Sequence, residues 1–358
     1  VANETVLMKG NEVIGEAAVR AGCRYFFGYP ITPQNELPAY MAKRLPEVQG
    51  VFVQAESETA AINMVYGASG AGARVMTSSS SPGISLKQEG ISYLAGAELP
   101  AVIVNMMRGG PGLGTIQPSQ SDYFQATKGG GHGDYNMVVL APASVQELAD
   151  LTMDAFDIAD KYRNPVMVLG DGVLGQMMEP VAFKERQSAE FVKDWATTGK
   201  QGRSKPNLIN SLYLDPEKSA EHNEELHAKY MTMAKNEVRY EVKNLEDAEV
   251  VLVAYGMMAR ITSSVMNKAR EKGMKVGLIR PISVWPFPDE AFEMALPQAK
   301  AFLTVEMSKG QMVEDVRLAV NGRAPVYFYG RTGGVIPSPQ EVMEQLEAVY
   351  AKVQGGEA

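Results

Sequence analysis

The chain has 358 residues, of which 45% are hydrophobic and 21% charged, proportions that suit a globular protein with roughly two domains, each burying its own core. Its net charge of −8 argues against nucleic acid as the main partner, because neutralising phosphates needs clustered Lys and Arg. One cysteine, Cys23, excludes an internal disulfide and an iron–sulfur cluster held by this chain alone, since a cluster normally takes four thiolates.

In chain order, Val1-Ala2-Asn3-Glu4 lacks the basic-then-apolar order of an export signal, so none is expected. Residues 11–21 place Val13, Ile14, Ala17, Ala18 and Ala21 on one helical stripe closed by Gly22, with Cys23 expected as a small core residue. Tyr25-Phe26-Phe27 reads as a buried strand, stopped by Gly28-Tyr29-Pro30-Ile31-Thr32-Pro33. Each proline removes a backbone N–H, fixes its own φ and restrains the residue before it. So stiff a stop holds Thr32 at a strand end, where parallel α/β sheets bind their ligands.

Strand patterns follow at 51–53, 74–77, 102–104, 137–140 and 166–169. Helical patterns lie at 57–69, 84–97 and 144–160, the last opened by Ser144 with Glu147 three residues on, the spacing of a capping box. Strands separated by helices predict a mainly parallel sheet covered on both faces. Residues 183–246 are polar, with Lys184-Glu185-Arg186 and a run of acids at 221–225. They predict a linker or partner-covering arm with a helix at 216–235. A second α/β pattern occupies 247–358, with strands at 250–254, 276–279, 301–305 and 326–328 and helices at 261–270 and 340–350. The division expected is therefore 1–182, 183–246 and 247–358. No apolar run approaches the ~20 residues that span a bilayer.

Glu56 and Glu58 lie where a strand hands over to a helix, a place where carboxylates also serve as caps. Arg108 ends a strand before Gly109-Gly110-Pro111-Gly112-Leu113-Gly114; glycines let the backbone turn tightly while the guanidinium presents a planar fork to a carboxylate. That loop lacks the Gly-Lys-Ser/Thr ending of a phosphate loop, and a dinucleotide fingerprint would need glycine where Gln117 stands. A self-contained nicotinamide dehydrogenase is thereby disfavoured. Lys128-Gly129-Gly130-Gly131-His132-Gly133-Asp134 reads as a flexible loop or, alternatively, as a carrier of His132 to a substrate. His222 and His227 stand among Glu and Lys at a spacing poor for one helix face, so no metal site is expected from this chain alone.

Several of these motifs together resemble the alpha subunit of 2-oxoacid:ferredoxin oxidoreductases. They are Tyr29-Pro30-Ile31-Thr32-Pro33, Gln54-Ala55-Glu56-Ser57-Glu58, Gly67-Ala68-Ser69, Ser81-Pro82-Gly83, Arg108-Gly109-Gly110-Pro111, Gly131-His132-Gly133, Ile279-Arg280-Pro281 and Trp285-Pro286-Phe287-Pro288. The likeness covers nearly the whole chain and is most similar to the branched-chain, 2-oxoisovalerate type. It implies a thiamine-diphosphate-binding α/β fold (the pyrimidine domain) followed by a smaller transketolase C-terminal-like α/β domain. It implies oxidative decarboxylation of a 2-oxoacid with coenzyme A, with electrons passing to ferredoxin.

The resemblance also implies site roles. One glutamate bonds the aminopyrimidine of thiamine diphosphate; the helix register from Gly67-Ala68 selects Glu58, whereas the local Gln-x-Glu pattern selects Glu56. Pro30 and Ile31 would join Glu58 at the cofactor. Thr32 and Arg108 would hold the 2-oxoacid carboxylate, with His132 near the substrate. Gly170-Asp171-Gly172 imitates a diphosphate motif, but its next Asn is Asn207, so Asp171 is expected to end a strand. Thiamine diphosphate would then be shared with a beta subunit that supplies the diphosphate and Mg²⁺ half. Iron–sulfur clusters would sit in partners that include gamma and ferredoxin-like subunits, in a cytoplasmic enzyme. The alternatives are a 2-oxoglutarate-specific relative and a non-catalytic scaffold with a degenerate site.

Overall fold

The computed structural model describes residues 5–184 and 191–356; the leader reading at 1–4 and the charges Glu185 and Arg186 lie outside the described residues. The first half contains β1 (Thr5–Lys9), α1 (Gly10–Arg20), β2 (Tyr25–Gly28), α2 (Glu36–Glu47), β3 (Val51–Gln54), α3 (Glu58–Gly70), β4 (Val75–Ser79) and α4 (Pro82–Gly96). β5 (Ala101–Met107), α5 (Tyr123–Thr127), β6 (Val138–Leu140), α6 (Val145–Tyr162), β7 (Pro165–Asp171), α7 (Gly172–Gln176) and β8 (Met178–Ala182) follow. The second half contains α8 (Pro216–Asn236), β9 (Tyr240–Lys243), β10 (Val250–Val253), α9 (Gly256–Glu271), β11 (Val276–Pro281), β12 (Ser283–Trp285) and α10 (Asp289–Ala295). β13 (Ala301–Glu306), α11 (Met312–Val320), β14 (Val326–Gly330) and α12 (Pro339–Gly355) complete it.

A seven-stranded sheet has the order β12-β6-β7-β5-β4-β2-β3, parallel throughout except where β12 pairs antiparallel with β6. Its centre is β5 and β7, in which every residue is buried. Their near-continuous apolar runs are what a strand covered on both faces requires. A five-stranded sheet has the order β14-β13-β10-β11-β9, parallel except for β9. β1 and β8 form a separate antiparallel pair.

Two strands cross the divisions suggested by composition. β9 lies within the polar 183–246 stretch yet pairs with β11. β12 lies within the second α/β pattern yet joins the first sheet, Ser283 against Leu140 and Trp285 against Val139. The prolines around it obscure so short a strand, because Pro ordinarily demotes a strand pattern. Helix α2 was also hidden by prolines. Pro38 sits in its first turn, where a missing N–H is harmless, and Pro46 near its end. The anticipated helix in the arm is α8, which buries Leu226, Tyr230 and Met233. Contrary to a wholly solvated stretch, its His222 Nε2 lies 2.7 Å from the carbonyl of Gly96. Cys23 is fully buried, and burial pushes its thiol up to about 12.

Polar side chains weld the two sheets together. The buried Gln120 amide donates to the Tyr255 carbonyl at 2.9 Å and accepts from Met307 N at 3.0 Å, while Gln120 N donates to the Met307 carbonyl at 2.8 Å. Tyr123 donates to Asp315 at 2.5 Å, and Asp315 also pairs with Lys128. Arg280 in β11 donates to both oxygens of Glu147 in α6 at 2.8 Å and to Glu241 in β9 at 2.8 Å. Arg280 is buried, so this fork works in a low-dielectric setting.

Arg280→Met should therefore destabilise the chain by roughly 3 kcal/mol, the low end for breaking a buried pair because Glu147 and Glu241 are partly exposed. Urea unfolding of the two proteins measures it; an unchanged midpoint would show that the fork does not hold the sheets together.

Candidate functional site

The C-terminal ends of β2, β3, β4 and β5 share one edge of the parallel sheet, and the site residues lie there. After β2, Tyr29 and Pro30 are exposed, Ile31 and Thr32 half-buried and Pro33 buried. The Pro33 carbonyl accepts from Asn11 Nδ2 at 2.8 Å and Gln176 Nε2 at 3.0 Å, tying the turn to α1 and α7. Asn35 Nδ2 reaches the Thr32 hydroxyl at 3.4 Å.

Arg108 follows β5 and is buried. One guanidinium nitrogen donates to the Thr32 carbonyl at 2.9 Å and the other to the Leu113 carbonyl at 3.2 Å. Among the described residues its buried Nε has no hydrogen-bond partner. The structure thus brings Thr32 and Arg108 together, with the fork joining the Pro-Ile-Thr-Pro turn to the glycine loop. Gly114 (φ +57°) must be glycine, since a Cβ there would lie 1.8 Å from the Gly109 carbonyl oxygen.

Ser81 stood in the Ser81-Pro82-Gly83 motif without an assigned role, and nothing in the sequence marked Asp122. Ser81, between β4 and α4, has φ +26°, an uncommon conformation for a side-chain-bearing residue. Its hydroxyl accepts from Arg108 N at 2.9 Å and donates to Asp122 at 2.6 Å. Asn105 Nδ2 donates to the same Asp122 oxygen at 2.9 Å. Burial raises the Asp122 carboxyl, an effect that the bonds from Ser81 and Asn105 temper. The signal available was a serine directly before Pro82-Gly83 at a strand–helix junction.

The two glutamates separate cleanly. Glu56 is exposed, whereas Glu58, the first residue of α3, is 6% exposed. Ser57 caps the helix by accepting from Ala60 N at 3.1 Å, which leaves Glu58 free of that duty. Among the described residues its carboxylate makes no hydrogen bond. It lies over Gly83, where a Cβ would come within 2.7 Å of Glu58 Oε1 and 2.0 Å of Ser79 Oγ. The nearby Ser79 hydroxyl is buried and, among the described residues, has no hydrogen-bond partner. One turn along α4, Lys87 is fully buried, its ammonium donating to Thr77 Oγ1 at 2.5 Å and the Ser78 carbonyl at 3.1 Å. Burial pushes Lys87 down to about 7, partly offset by the charge of Glu58.

His132 is not brought into this group. It packs edge-on against Tyr93 and lies 3.3 Å from the Ser92 hydroxyl, nine residues, or about 14 Å, along α4 from Gly83. Asp171 ends β7 and caps α7, accepting from Val173 N at 2.9 Å and Leu174 N at 3.1 Å. Among the described residues no cluster of three or more His, Cys, Asp or Glu is placed to hold a metal ion, and no helix is long and apolar enough to cross a membrane.

Residues 16–245 match the domain family described as "Pyruvate flavodoxin/ferredoxin oxidoreductase, thiamine diP-bdg", and residues 248–342 match "Pyruvate:ferredoxin oxidoreductase core domain II". The chain is 52% identical over 347 residues to the ketoisovalerate oxidoreductase subunit VorB of Methanothermobacter marburgensis, covering 96% of this chain and 98% of the relative. It is 40% identical over 347 residues to the 2-oxoglutarate synthase subunit KorA of Archaeoglobus fulgidus, covering 96% and 99%. The solved 2-oxoglutarate:ferredoxin oxidoreductase of Magnetococcus marinus, with 2-oxoglutarate, coenzyme A and succinyl-CoA bound, is similar with a TM-score of 0.85 at 26% identity, over 97% of this chain and 66% of that one. A split-gene transketolase tetramer shares the fold, with a TM-score of 0.61 at 15% identity over 96% and 98% of the two chains.

Lys87 gives a pH signature. Its amine holds a proton only below about 7 in the fold, whereas the unfolded chain keeps it to ~10.4. Between those values the unfolded state binds more protons, so this group makes stability rise with pH, by up to about 1.4 kcal/mol per unit. Lys87→Met should flatten that rise in urea titrations from pH 7 to 10; an identical slope in both proteins would contradict the burial of a near-neutral lysine.

Proposed function

Because this chain belongs to the 2-oxoacid:ferredoxin oxidoreductase family and is an enzyme subunit of that kind, we propose that it supplies the pyrimidine half of a thiamine-diphosphate site. The complete site, on this proposal, oxidises 3-methyl-2-oxobutanoate. The 2-oxoacid anion and coenzyme A thiol give acyl-CoA, carbon dioxide, one proton and two electrons. Those electrons leave through iron–sulfur clusters on gamma and ferredoxin-like partners to ferredoxin. The relative named for ketoisovalerate, at 52% identity, favours the branched-chain substrate over 2-oxoglutarate, whose named relatives reach 40%.

The observation that carries the proposal is Glu58, a residue 6% exposed whose carboxylate has no hydrogen-bond partner among the described residues and packs closely against Gly83. A carboxylate held in place without a partner is an acceptor that a ligand can complete. It fits the aminopyrimidine of thiamine diphosphate, and its retention argues against a degenerate scaffold. Thiamine diphosphate, when bound, supplies a nucleophilic carbon and a sink for the electron pair released with carbon dioxide. Glu58 would hold the proton at the aminopyrimidine ring nitrogen, and Pro30 and Ile31 would join it at the ring.

Arg108 has five N–H groups, of which two bind the Thr32 and Leu113 carbonyls. Three N–H groups remain, and they would meet the substrate carboxylate together with the Thr32 hydroxyl. A beta subunit would supply the diphosphate and Mg²⁺ half. Leu113, 82% exposed, and Ile116, 55% exposed, rim the Arg108 loop with the apolar surface that a partner would cover.

Assaying the enzyme assembled with its partner subunits tests this. Glu58→Gln should lower turnover by ~10²–10⁴-fold, the usual worth of a positioned acid–base group, while Glu56→Gln stays near wild type. Arg108→Lys should lose about ten- to hundredfold in 2-oxoacid kcat/KM, one charged hydrogen bond, at saturating thiamine diphosphate. Loss in Glu56→Gln but not Glu58→Gln would overturn the acid's assignment, and unchanged 2-oxoacid kinetics in Arg108→Lys would remove the carboxylate clamp.

A further inference from the structure

A cavity of about 480 Å³ has walls that include Thr32, Pro33, Ile116, Val173, Ile336 and Glu36. Among the described residues no lysine or arginine lines it. The second α/β unit contributes Ile336, and the Arg108 loop contributes Ile116. Thr32 is thus common to the carboxylate clamp and to this cavity, and the side chain of a 2-oxoacid starts two bonds from its carboxylate. A substrate held at Arg108 and Thr32 would extend its side chain here.

The walls mix apolar side chains with the neutral polar Thr32, Gln117 and Gln176 and, among the described residues, carry a single charged side chain. Glu36 opens α2, where its charge meets the positive helix end. Its Oε2 accepts from Asn11 Nδ2 and Gln176 Nε2, both at 2.9 Å, and its Oε1 from Lys9 Nζ at 3.3 Å. Burial pushes this carboxyl up, but the bonds from its own backbone N–H, Gln176, Asn11 and Lys9 outweigh it and hold the group below the usual carboxylate range. Glu36 is therefore an anion at neutral pH, fixed in place mainly by neutral amides. The cavity is roomier than a short branched chain needs, so size alone would not reject 2-oxoglutarate.

Resting on the function proposed above, we propose that Glu36 is a specificity-determining residue: it repels a second carboxylate from the side-chain cavity beside Thr32, leaving that cavity to apolar side chains. Hydrophobic walls discriminate between apolar chains weakly, by ~10–200-fold per methylene, whereas a like charge acts selectively on a dicarboxylate.

The test uses the enzyme assembled with its partner subunits and reads ratios of kcat/KM, which the folded fraction of a variant does not alter. Glu36→Gln should raise the 2-oxoglutarate to 2-oxoisovalerate ratio by about tenfold. Ile336→Trp, which fills the cavity from the opposite wall, should lower the ratio of 2-oxoisovalerate to pyruvate by about tenfold. Unchanged ratios in an enzyme that oxidises 2-oxoacids would overturn the role of Glu36 and leave the proposed function standing. A wild-type enzyme that uses 2-oxoglutarate as well as 2-oxoisovalerate would also overturn it, as would an effect confined to the KM for coenzyme A. An assembled enzyme that oxidises no 2-oxoacid at all would remove both.

Discussion

In a parallel sheet every strand ends on the same edge, and in this chain that polarity assembles the site. β2, β3, β4 and β5 deliver Thr32, Glu58, Ser81 with Gly83, and Arg108 to one line. The contacts then run side by side. Glu58 lies over Gly83, Ser81 binds the Arg108 backbone, and Arg108 binds the Thr32 carbonyl. Each residue is far from the next in sequence, and none could be placed without the shared strand register. Burial of β5 and β7 on both faces makes that register costly to shift, since a one-residue slip would reverse every side chain.

The second α/β unit is bound into the same edge. Gln120 is fully buried and answers three backbone groups across the junction. It sits a few residues beyond the glycine loop that carries Leu113 and Thr115. That loop is also packed by the second unit, because a Cβ on Gly334 would lie 2.2 Å from Gln117. β12 completes the exchange by joining the first sheet at its far side. The consequence for function is rigidity: the Leu113 carbonyl that steadies Arg108 is itself held from both units.

Much of this was legible in the sequence. The apolar runs of β2, β5 and β7 and the Ser144 cap of α6 stood out because their signals are local. So did the pairing of stiff prolines with Thr32, and the choice of Glu58 from its helix register is consistent with its burial beside an exposed Glu56. Other features had no local signal. α2 carries, in its first and last turns, prolines that usually punctuate chains. β9 and β12 owe their pairing to distant strands. Lys87 looks like a surface charge until α4 turns it inward, and Asp122 acquires meaning only from the fold that brings Ser81 to it. The glycine loop gave His132 no address, and only packing against Tyr93 places it away from the Arg108 end.

On the proposed function the site is divided: this chain would hold the pyrimidine end of thiamine diphosphate through Glu58, and a partner would hold the diphosphate and Mg²⁺. Asp171, which stands in a lookalike diphosphate motif, uses its carboxylate to cap α7. Calorimetric titration of thiamine diphosphate with Mg²⁺, into the chain alone and into the chain assembled with its partner subunits, tests this most directly. The account predicts tight, Mg²⁺-dependent binding only in the assembly; tight Mg²⁺-dependent binding by the chain alone would contradict it.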